Sequence, residues 1–273
     1  MKKKSFLFGQ VTISFITVIV LVIITILALF CGCASAPYTG RHQLILVSQD
    51  EEAALGIKAY KEVLSQNKIS TDAKVNAMVQ RVGMRIAAVT NRPEYKWEFT
   101  VIDGPNSANA FALPGGKVAV YTGILPYTHN EAGLAFVLAH EIGHAISRHG
   151  GERMSEQLLI QFGQGGLNMA IAKKSASAIQ AINLGYGLLT TVGVVLPFSR
   201  TQEYEADHIG IILSAKAGYD PREAPHFFER MMKGEQNKAT PPEFLSTHPA
   251  DQERIQKLIK LIPEAMNYYQ VHN

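Results

Sequence analysis

Two histidines and a glutamate share a five-residue motif near the middle of this chain. The motif is His140-Glu141-Ile142-Gly143-His144, and it lies inside a predicted helix. Residues four apart on a helix lie one turn above each other, so both imidazoles can reach one metal ion at roughly 2.0–2.1 Å. Glu141, one step round the helix, can accept a proton from water beside the metal. The spacing predicts a zinc site with His140 and His144 as ligands and Glu141 as general base.

A catalytic zinc usually has three protein ligands and one open position, so a third ligand is needed. One known arrangement has a histidine six residues after the second, but Gly150 holds that position here. His149 falls one residue short and points away from the metal, so that arrangement is rejected. A second predicted helix offers Glu203 as the ligand, and Asp207 one turn later can hydrogen-bond a ligating histidine. Glu205, which faces roughly the opposite way, stays the alternative ligand.

The alternative to this chemistry is a purely structural interpretation. It takes the motif as two unrelated histidines on a surface helix, and the later carboxylates as ordinary solvated side chains. The apolar stretch at residues 134–139 argues against it, because that stretch buries the helix that carries the motif. The metal site is therefore the favoured interpretation.

Further motifs give the chain a specific resemblance. They are residues 37–41 (Pro-Tyr-Thr-Gly-Arg), residues 109–116 (Asn-Ala-Phe-Ala-Leu-Pro-Gly-Gly), the His140 motif, Ser199-Arg200 with residues 203–207, and Thr247-His248-Pro249. With these motifs the chain resembles metallopeptidase family 48, which includes the CAAX prenyl endopeptidase, the HtpX-type proteases and the mitochondrial Oma-type protease. Its envelope branch of small lipoproteins is especially similar.

The resemblance implies one zinc ion per chain, held by His140, His144 and Glu203, with Glu141 as base. It also implies that His248 lies in a loop near the metal, where it either polarises the substrate carbonyl or plugs the open position. The structural alternative for His248 is a histidine that precedes a helix at Pro249. Arg200 and Arg254 are expected only to pair with buried carboxylates.

The N-terminal segment is typical of an export signal. Three lysines, Lys2 to Lys4, precede an apolar run through Phe30. Residues 30–33 resemble a lipobox, which makes Cys33 the expected lipidation site. An uncleaved anchor is the alternative, since about 20 apolar residues can span a bilayer. Both place the domain outside the cytoplasm on a membrane, with the outer membrane facing the periplasm favoured over an inner-membrane anchor.

Composition excludes several classes of partner and of metal site. The chain has 273 residues, 47% hydrophobic and 18% charged, with a net charge of +3, so no nucleic-acid partner is implied. Its 2 cysteines both lie in the signal region, which excludes a disulfide scaffold and cysteine-ligated zinc in the domain. The expected division is a signal or anchor at residues 1–33, a tether at 34–47 and one metallopeptidase domain at 48–273.

Local patterns predict the elements that hold the site. Helices are expected from Ser48, over residues 72–90, over 130–149 with an end at Gly150-Gly151, and in four later segments (a pair within 157–191, then 202–216, 221–233 and 249–261). Residues 97–102 predict a strand, and residues 109–121 predict a β-hairpin. The expected fold is α+β and mostly helical, a zincin of the gluzincin type with a small β-sheet beside the active-site helix.

These features predict a zinc endopeptidase of the cell envelope. The resemblance implies unfolded or misfolded protein substrates and a role in quality control of stalled envelope proteins. Two alternatives remain: an envelope chaperone or assembly factor whose zinc site is plugged, and a zinc hydrolase of a non-peptide amide. A requirement for Glu141 separates the first alternative from a peptidase, and a groove for an extended peptide separates the second.

Overall fold

The computed structural model describes residues 33–169, 198–236 and 242–270. The predicted export signal or anchor at residues 1–32 lies outside this part. So does most of the predicted helix pair at residues 157–191. Within the described ranges, no helix combines the length and the apolar character needed to cross a membrane.

Two capped helices open the main part of the fold. Helix α1 spans Gln49–Gln66, and at its start the Ser48 side chain and Glu51 form a capping box. Helix α2 spans Ala73–Ala88, where the carboxylate of Asp72 accepts hydrogen bonds from backbone amides of the first turn. Both helix starts follow from local sequence and confirm their predictions.

A three-stranded sheet lies beside these helices. Strands β3 (Glu98–Ile102), β4 (Ala110–Leu113) and β5 (Lys117–Tyr121) occur in the order β3-β5-β4. Strand β5 pairs parallel with β3 and antiparallel with β4, and Phe111 lies opposite Ala119. The predicted hairpin is confirmed, and β4 is an edge strand.

The active-site helix, α4, spans Glu131–Ile146 and is buried from Gly133 to its end. A 3₁₀ turn at Thr122–Ile124 and the short helix α3 (Leu125–Thr128) lead into it. The side chain of Asn130 accepts a hydrogen bond from the amide of Gly133, which fixes the start of α4. Burial on all sides makes α4 the central element of an α+β fold that is mostly helical, as predicted.

The predicted end of this helix is wrong. Helix α4 ends at Ile146, and Arg148 then adopts a left-handed conformation with φ 57°. The guanidinium of Arg148 is held there by the buried carboxylate of Glu52 and by the carbonyl of Val47. A new helix, α5, begins at once and spans His149–Met169, so residues 150 and 151 lie inside a helix and do not end one. A distant ion pair, absent from local patterns, sets this break.

The remaining helices cross or flank α4. They are α6 (Arg200–Lys216), α7 (Glu223–Gln236), α8 (Glu243–Thr247) and α9 (Gln252–Met266). Helix α6 approaches α4 through two glycines: a Cβ on Gly210 would lie 3.0 Å from the backbone nitrogen of His140, and one on Gly143 would lie 3.3 Å from the carbonyl of Ala206. This close crossing brings the carboxylates of α6 to the histidines of α4.

Residues 34–47, expected to be a tether, contain ordered strands. Strands β1 (Cys33–Ser35) and β2 (His42–Leu44) pair antiparallel as a small hairpin. The side chain of Gln43 is buried and donates a hydrogen bond to the carbonyl of Ser147, 2.7 Å away. The hairpin therefore lies against the end of α4.

The glycine crossing gives a testable consequence. Replacing Gly210 with alanine should destabilise the protein by about 1–3 kcal/mol, because the new methyl group must push α6 away from α4. Urea unfolding of the full chain measures this loss. Gly150→Ala is the matched control: nothing lies within 4 Å of its Cβ position, and alanine is the better helix former. Equal stability of the two variants would contradict the close crossing.

Candidate metal centre and active site

The helix α4 presents His140 and His144 on one face, as the motif predicted. Their Nε2 atoms lie 3.1 Å apart, and both rings are buried. Helix α6 brings Glu203 to the same place, with Oε1 3.4 Å from Nε2 of His144 and Oε2 3.7 Å from Nε2 of His140. Three side chains named from sequence thus converge on one point.

A fourth side chain joins them from the loop after α8. Nδ1 of His248 lies 3.3 Å from Nε2 of His140 and 3.0 Å from Oε1 of Glu203. One ligand atom from each of these residues and His144 falls within 4.8 Å of all the others. His248 therefore belongs to the cluster itself, and not merely to a loop near it.

The spacing of these atoms fits a metal ion. Ligands that bind tetrahedral zinc at about 2.0–2.1 Å lie roughly 3.3 Å from one another. The contacting pairs of atoms in the cluster are 3.0 to 3.7 Å apart, and one ligand atom from each of the four residues lies within 4.8 Å of the others. Two buried imidazole nitrogens 3.1 Å apart need a shared proton or a cation between them. The set of imidazole nitrogens and a carboxylate is one that zinc prefers. The residues present fit one zinc ion.

Glu141 lies beside this cluster and does not contribute a ligand to it. Its Oε1 is 3.4 Å from Nε2 of His248. Burial raises the pKa of Glu141, and the nearby charge of Glu203 adds to the effect, although His248, His140 and Arg254 oppose it. A carboxylate with a raised pKa is suited to accept a proton and return it near neutral pH.

A buried arginine neutralises two of the carboxylates of α6, Glu203 and Asp207. Arg254, on α9, donates hydrogen bonds from Nε and Nη2 to Asp207 at 2.8 and 2.7 Å, and its Nη1 forms an ion pair with Glu203. Burial alone would raise the pKa of Glu203, but the charges of Arg254 and His248 outweigh it and hold that pKa well below its usual range. Glu203 is therefore an ionised carboxylate. Arg254 pairs as expected.

Asp207 lies where the sequence placed it, behind a histidine of the cluster. Its Oδ1 is 3.0 Å from Nδ1 of His140. An ionised carboxylate at this position favours the tautomer with a proton on Nδ1, which leaves Nε2 free for a metal. Arg200, in contrast, pairs with Asp251 at the surface and contacts no buried carboxylate among the described residues.

Glu205, the alternative ligand, lies away from the cluster. It accepts a hydrogen bond from Nε2 of His149, 2.8 Å away, and pairs with Thr39 and Arg41 of the N-terminal hairpin. Burial would raise its pKa, but hydrogen bonds from His149, Thr39 and Arg41 lower it to about 2. Glu205 is thus committed to other partners.

His149 is the residue whose place the sequence missed. Its Nδ1 lies 2.8 Å from Nδ1 of His144, so it backs that histidine as Asp207 backs His140. The break in the helix before α5 turns it toward His144, whereas a continuous helix would have pointed it away. Its position five residues after His144 could be read from the sequence. The left-handed conformation of Arg148, which turns His149 toward His144, could not.

Aromatic rings close the cluster from the outside. Phe198 stacks on His144 with ring centroids 3.9 Å apart, and Phe244 stacks on His248 at 4.5 Å. Apolar cover of this kind lowers the local dielectric constant and strengthens each electrostatic contact inside.

The sequence of this chain is similar to those of known proteins. The family model for peptidase family M48 matches residues 73–262. The mitochondrial metalloendopeptidase OMA1 of Schizosaccharomyces pombe is 38% identical over 84% of this chain and 66% of its own length. The corresponding bovine protein is 33% identical over 87% of this chain and 47% of its own.

A bacterial relative matches a shorter part. The putative beta-barrel assembly-enhancing protease of Vibrio cholerae is 35% identical over 76% of this chain and 43% of its own length. The chain thus spans about half the length of several curated relatives. The family match covers α2 through most of α9 and includes every residue of the metal cluster. The chain belongs to peptidase family M48, whose members are zinc-dependent metallopeptidases.

Proposed function

We propose that this zinc metalloendopeptidase cleaves unfolded or misfolded proteins at the cell envelope, with Glu141 as general base. The observation that carries the proposal is the buried cluster of His140, His144 and Glu203 with Glu141 beside it, on the two helices that cross at the glycines. In this proposal His140, His144 and Glu203 hold the zinc ion. Quality control of stalled proteins is the expected role.

The residues divide the chemistry among them. When bound, zinc polarises the scissile carbonyl and lowers the pKa of water to about 7. Glu141 accepts the proton of the attacking water and delivers it to the leaving amine. Asp207 keeps Nε2 of His140 free of a proton, and Arg254 keeps Glu203 and Asp207 ionised.

An extended peptide fits the free edge of β4. Tyr121 donates its amide hydrogen to the carbonyl of Asn109, so alternation along the ladder turns the amide of Ala112 away from β5. Strand β4 also packs against α4, which carries the motif. A substrate backbone that adds to this edge is held by main-chain hydrogen bonds, whatever its side chains. This edge favours peptides over compact amides as substrates.

His248 occupies the fourth position of the cluster. A catalytic zinc keeps one position open, whereas four protein ligands are typical of a structural site. We therefore infer that His248 plugs the zinc in the resting protein and must move before a substrate binds. The place of His248 in the cluster also favours the alternative, a chaperone or assembly factor with a closed metal site.

The envelope location is supported by the N-terminal sequence and by the relatives' names. The apolar run through Phe30 is the expected signal, with Cys33 lipidated or the run kept as an anchor. One relative is named for beta-barrel assembly and others as mitochondrial. We propose attachment to the outer membrane, facing the periplasm.

Replacing Glu141 with glutamine should abolish proteolysis without loss of metal. We expect one zinc per chain in both proteins and a fall in casein hydrolysis of about 10²–10⁴-fold in the variant, since a general base contributes that much. Zinc content and casein cleavage are measured together. Glu156→Gln, at an exposed glutamate of α5, is the control. Full activity in the Glu141 variant would contradict the peptidase mechanism.

Replacing His248 with alanine should raise the peptidase rate, because it opens the fourth position while three ligands remain. Casein hydrolysis and zinc content of the variant are compared with those of His226→Ala, whose histidine is 55% exposed on α7. A lower rate with zinc retained would instead assign His248 to assisting the substrate.

Replacing Ala112 with proline should raise KM for peptide substrates, because proline removes the amide hydrogen that faces the free edge. Zinc content should not change. Ala112→Ser keeps the amide and serves as the control in the same kinetic assay. An unchanged KM in the proline variant would show that substrates do not bind along β4.

A further inference from the structure

The two histidines of α4 are backed in different ways. His140 contacts a carboxylate directly, with Nδ1 3.0 Å from Asp207. His144 contacts a second imidazole: its Nδ1 lies 2.8 Å from Nδ1 of His149, and Nε2 of His149 lies 2.8 Å from Oε2 of Glu205. A carboxylate thus stands behind each histidine, but behind His144 it acts through His149.

This chain of contacts fixes the protons. If Nε2 of His144 binds metal, its Nδ1 carries the hydrogen and donates to Nδ1 of His149. His149 must then carry its own hydrogen on Nε2, which donates to the carboxylate of Glu205. Each donor meets an acceptor, and neither ring needs a charge. A reversed tautomer at His149 would place two donors against each other at 2.8 Å.

The far end of the chain of contacts lies on the N-terminal hairpin. The turn between β1 and β2 contains Tyr38 and Gly40, both at φ 66°, and it places the side chains of Thr39 and Arg41 over Glu205. Nε and Nη2 of Arg41 lie 3.0 and 2.9 Å from Oε2 of Glu205.

Arg41 is itself fixed by a second carboxylate. Its Nη1 and Nη2 atoms donate to Glu152 of α5 at 2.6 and 2.7 Å, and Gln202 of α6 donates to the same carboxylate at 2.8 Å. The guanidinium therefore joins the hairpin, α5 and α6 at one point. Arg41 acts on Glu205 as Arg254 acts on Asp207.

We propose that His149 is a positioning residue for His144, and that Thr39 and Arg41 of the N-terminal hairpin complete its support through Glu205. Residues before the family-matched region thereby become part of the metal centre. The inference rests on the proposed function, because it takes His144 as a zinc ligand. Support of this kind orients a ligand and raises its basicity, and its loss typically weakens metal affinity about 10–100-fold.

The test measures metal binding directly. In the full chain, His149→Phe removes the acceptor for His144, and zinc affinity by chelator competition should fall about 10–100-fold. The absorption spectrum of the cobalt-substituted protein should also change, because His144 is no longer held in one orientation. His149→Gln keeps one acceptor and one donor and should restore part of the affinity.

Arg41→Met tests the hairpin end, and a smaller loss in the same direction is expected. Arg230→Met is the matched control: the Arg230 side chain is 26% exposed and paired with Glu223, against 25% exposed for Arg41, but it lies on α7 and contacts neither the cluster nor its supports. Loss of zinc affinity in both arginine variants would overturn the proposal, since it would indicate general destabilisation.

Failure of the inference and failure of the proposed function give different results. Wild-type protein that binds no zinc would overturn the proposed function. Wild-type protein that binds zinc tightly, with unchanged affinity and cobalt spectrum in the folded His149→Phe and Arg41→Met variants, would overturn only the inference. Should His149→Phe not fold, His149→Gln and Arg41→Met still decide it by the same two measurements.

Discussion

The rest of this fold depends on charged and polar side chains that are buried between helices α4 and α6. Glu141, Glu203 and Asp207 are each 2% exposed, as is His248, in a region otherwise built from apolar side chains. Burying an ionised carboxylate is costly unless it is paired and hydrogen-bonded. Arg254 from α9 provides that pairing. It is itself 2% exposed and contacts two of these carboxylates. Helix α9 is thereby tied to α6 by charge as well as by apolar packing.

The parts of the site that follow local rules were predictable from sequence. Residues four apart on a helix share a face, so the pairing of His140 with His144 and the relation of Glu203 to Asp207 needed no tertiary information. Capping residues such as Ser48 and Asp72 likewise act within one turn. The structure retains these features because burial and packing favour the same conformations as the local sequence.

The parts that depend on distant partners were not predictable. The break after Ile146 requires Glu52, nearly a hundred residues earlier, to hold Arg148 in a left-handed conformation. The hairpin at residues 33–44 is held because Gln43 hydrogen-bonds Ser147, just after α4, and Arg41 pairs with carboxylates of α5 and α6. The membership of His248 in the cluster depends on how α8 docks, although family resemblance placed it nearby. Local sequence patterns do not indicate contacts between residues that are far apart in the chain.

The three carboxylates of α6 also govern rotation of that helix. Glu203 and Asp207 lie on one side, toward the histidines and Arg254, whereas Glu205 lies on the other, toward His149 and the hairpin. A turn of α6 about its own axis would pull one side from its partners while compressing the other. Gly210 of α6 packs directly against the backbone at His140. Helix α6 therefore cannot rotate about its axis without moving away from α4. The angular setting of one helix therefore fixes both histidines of α4 at once, and the metal centre forms or comes apart as a unit.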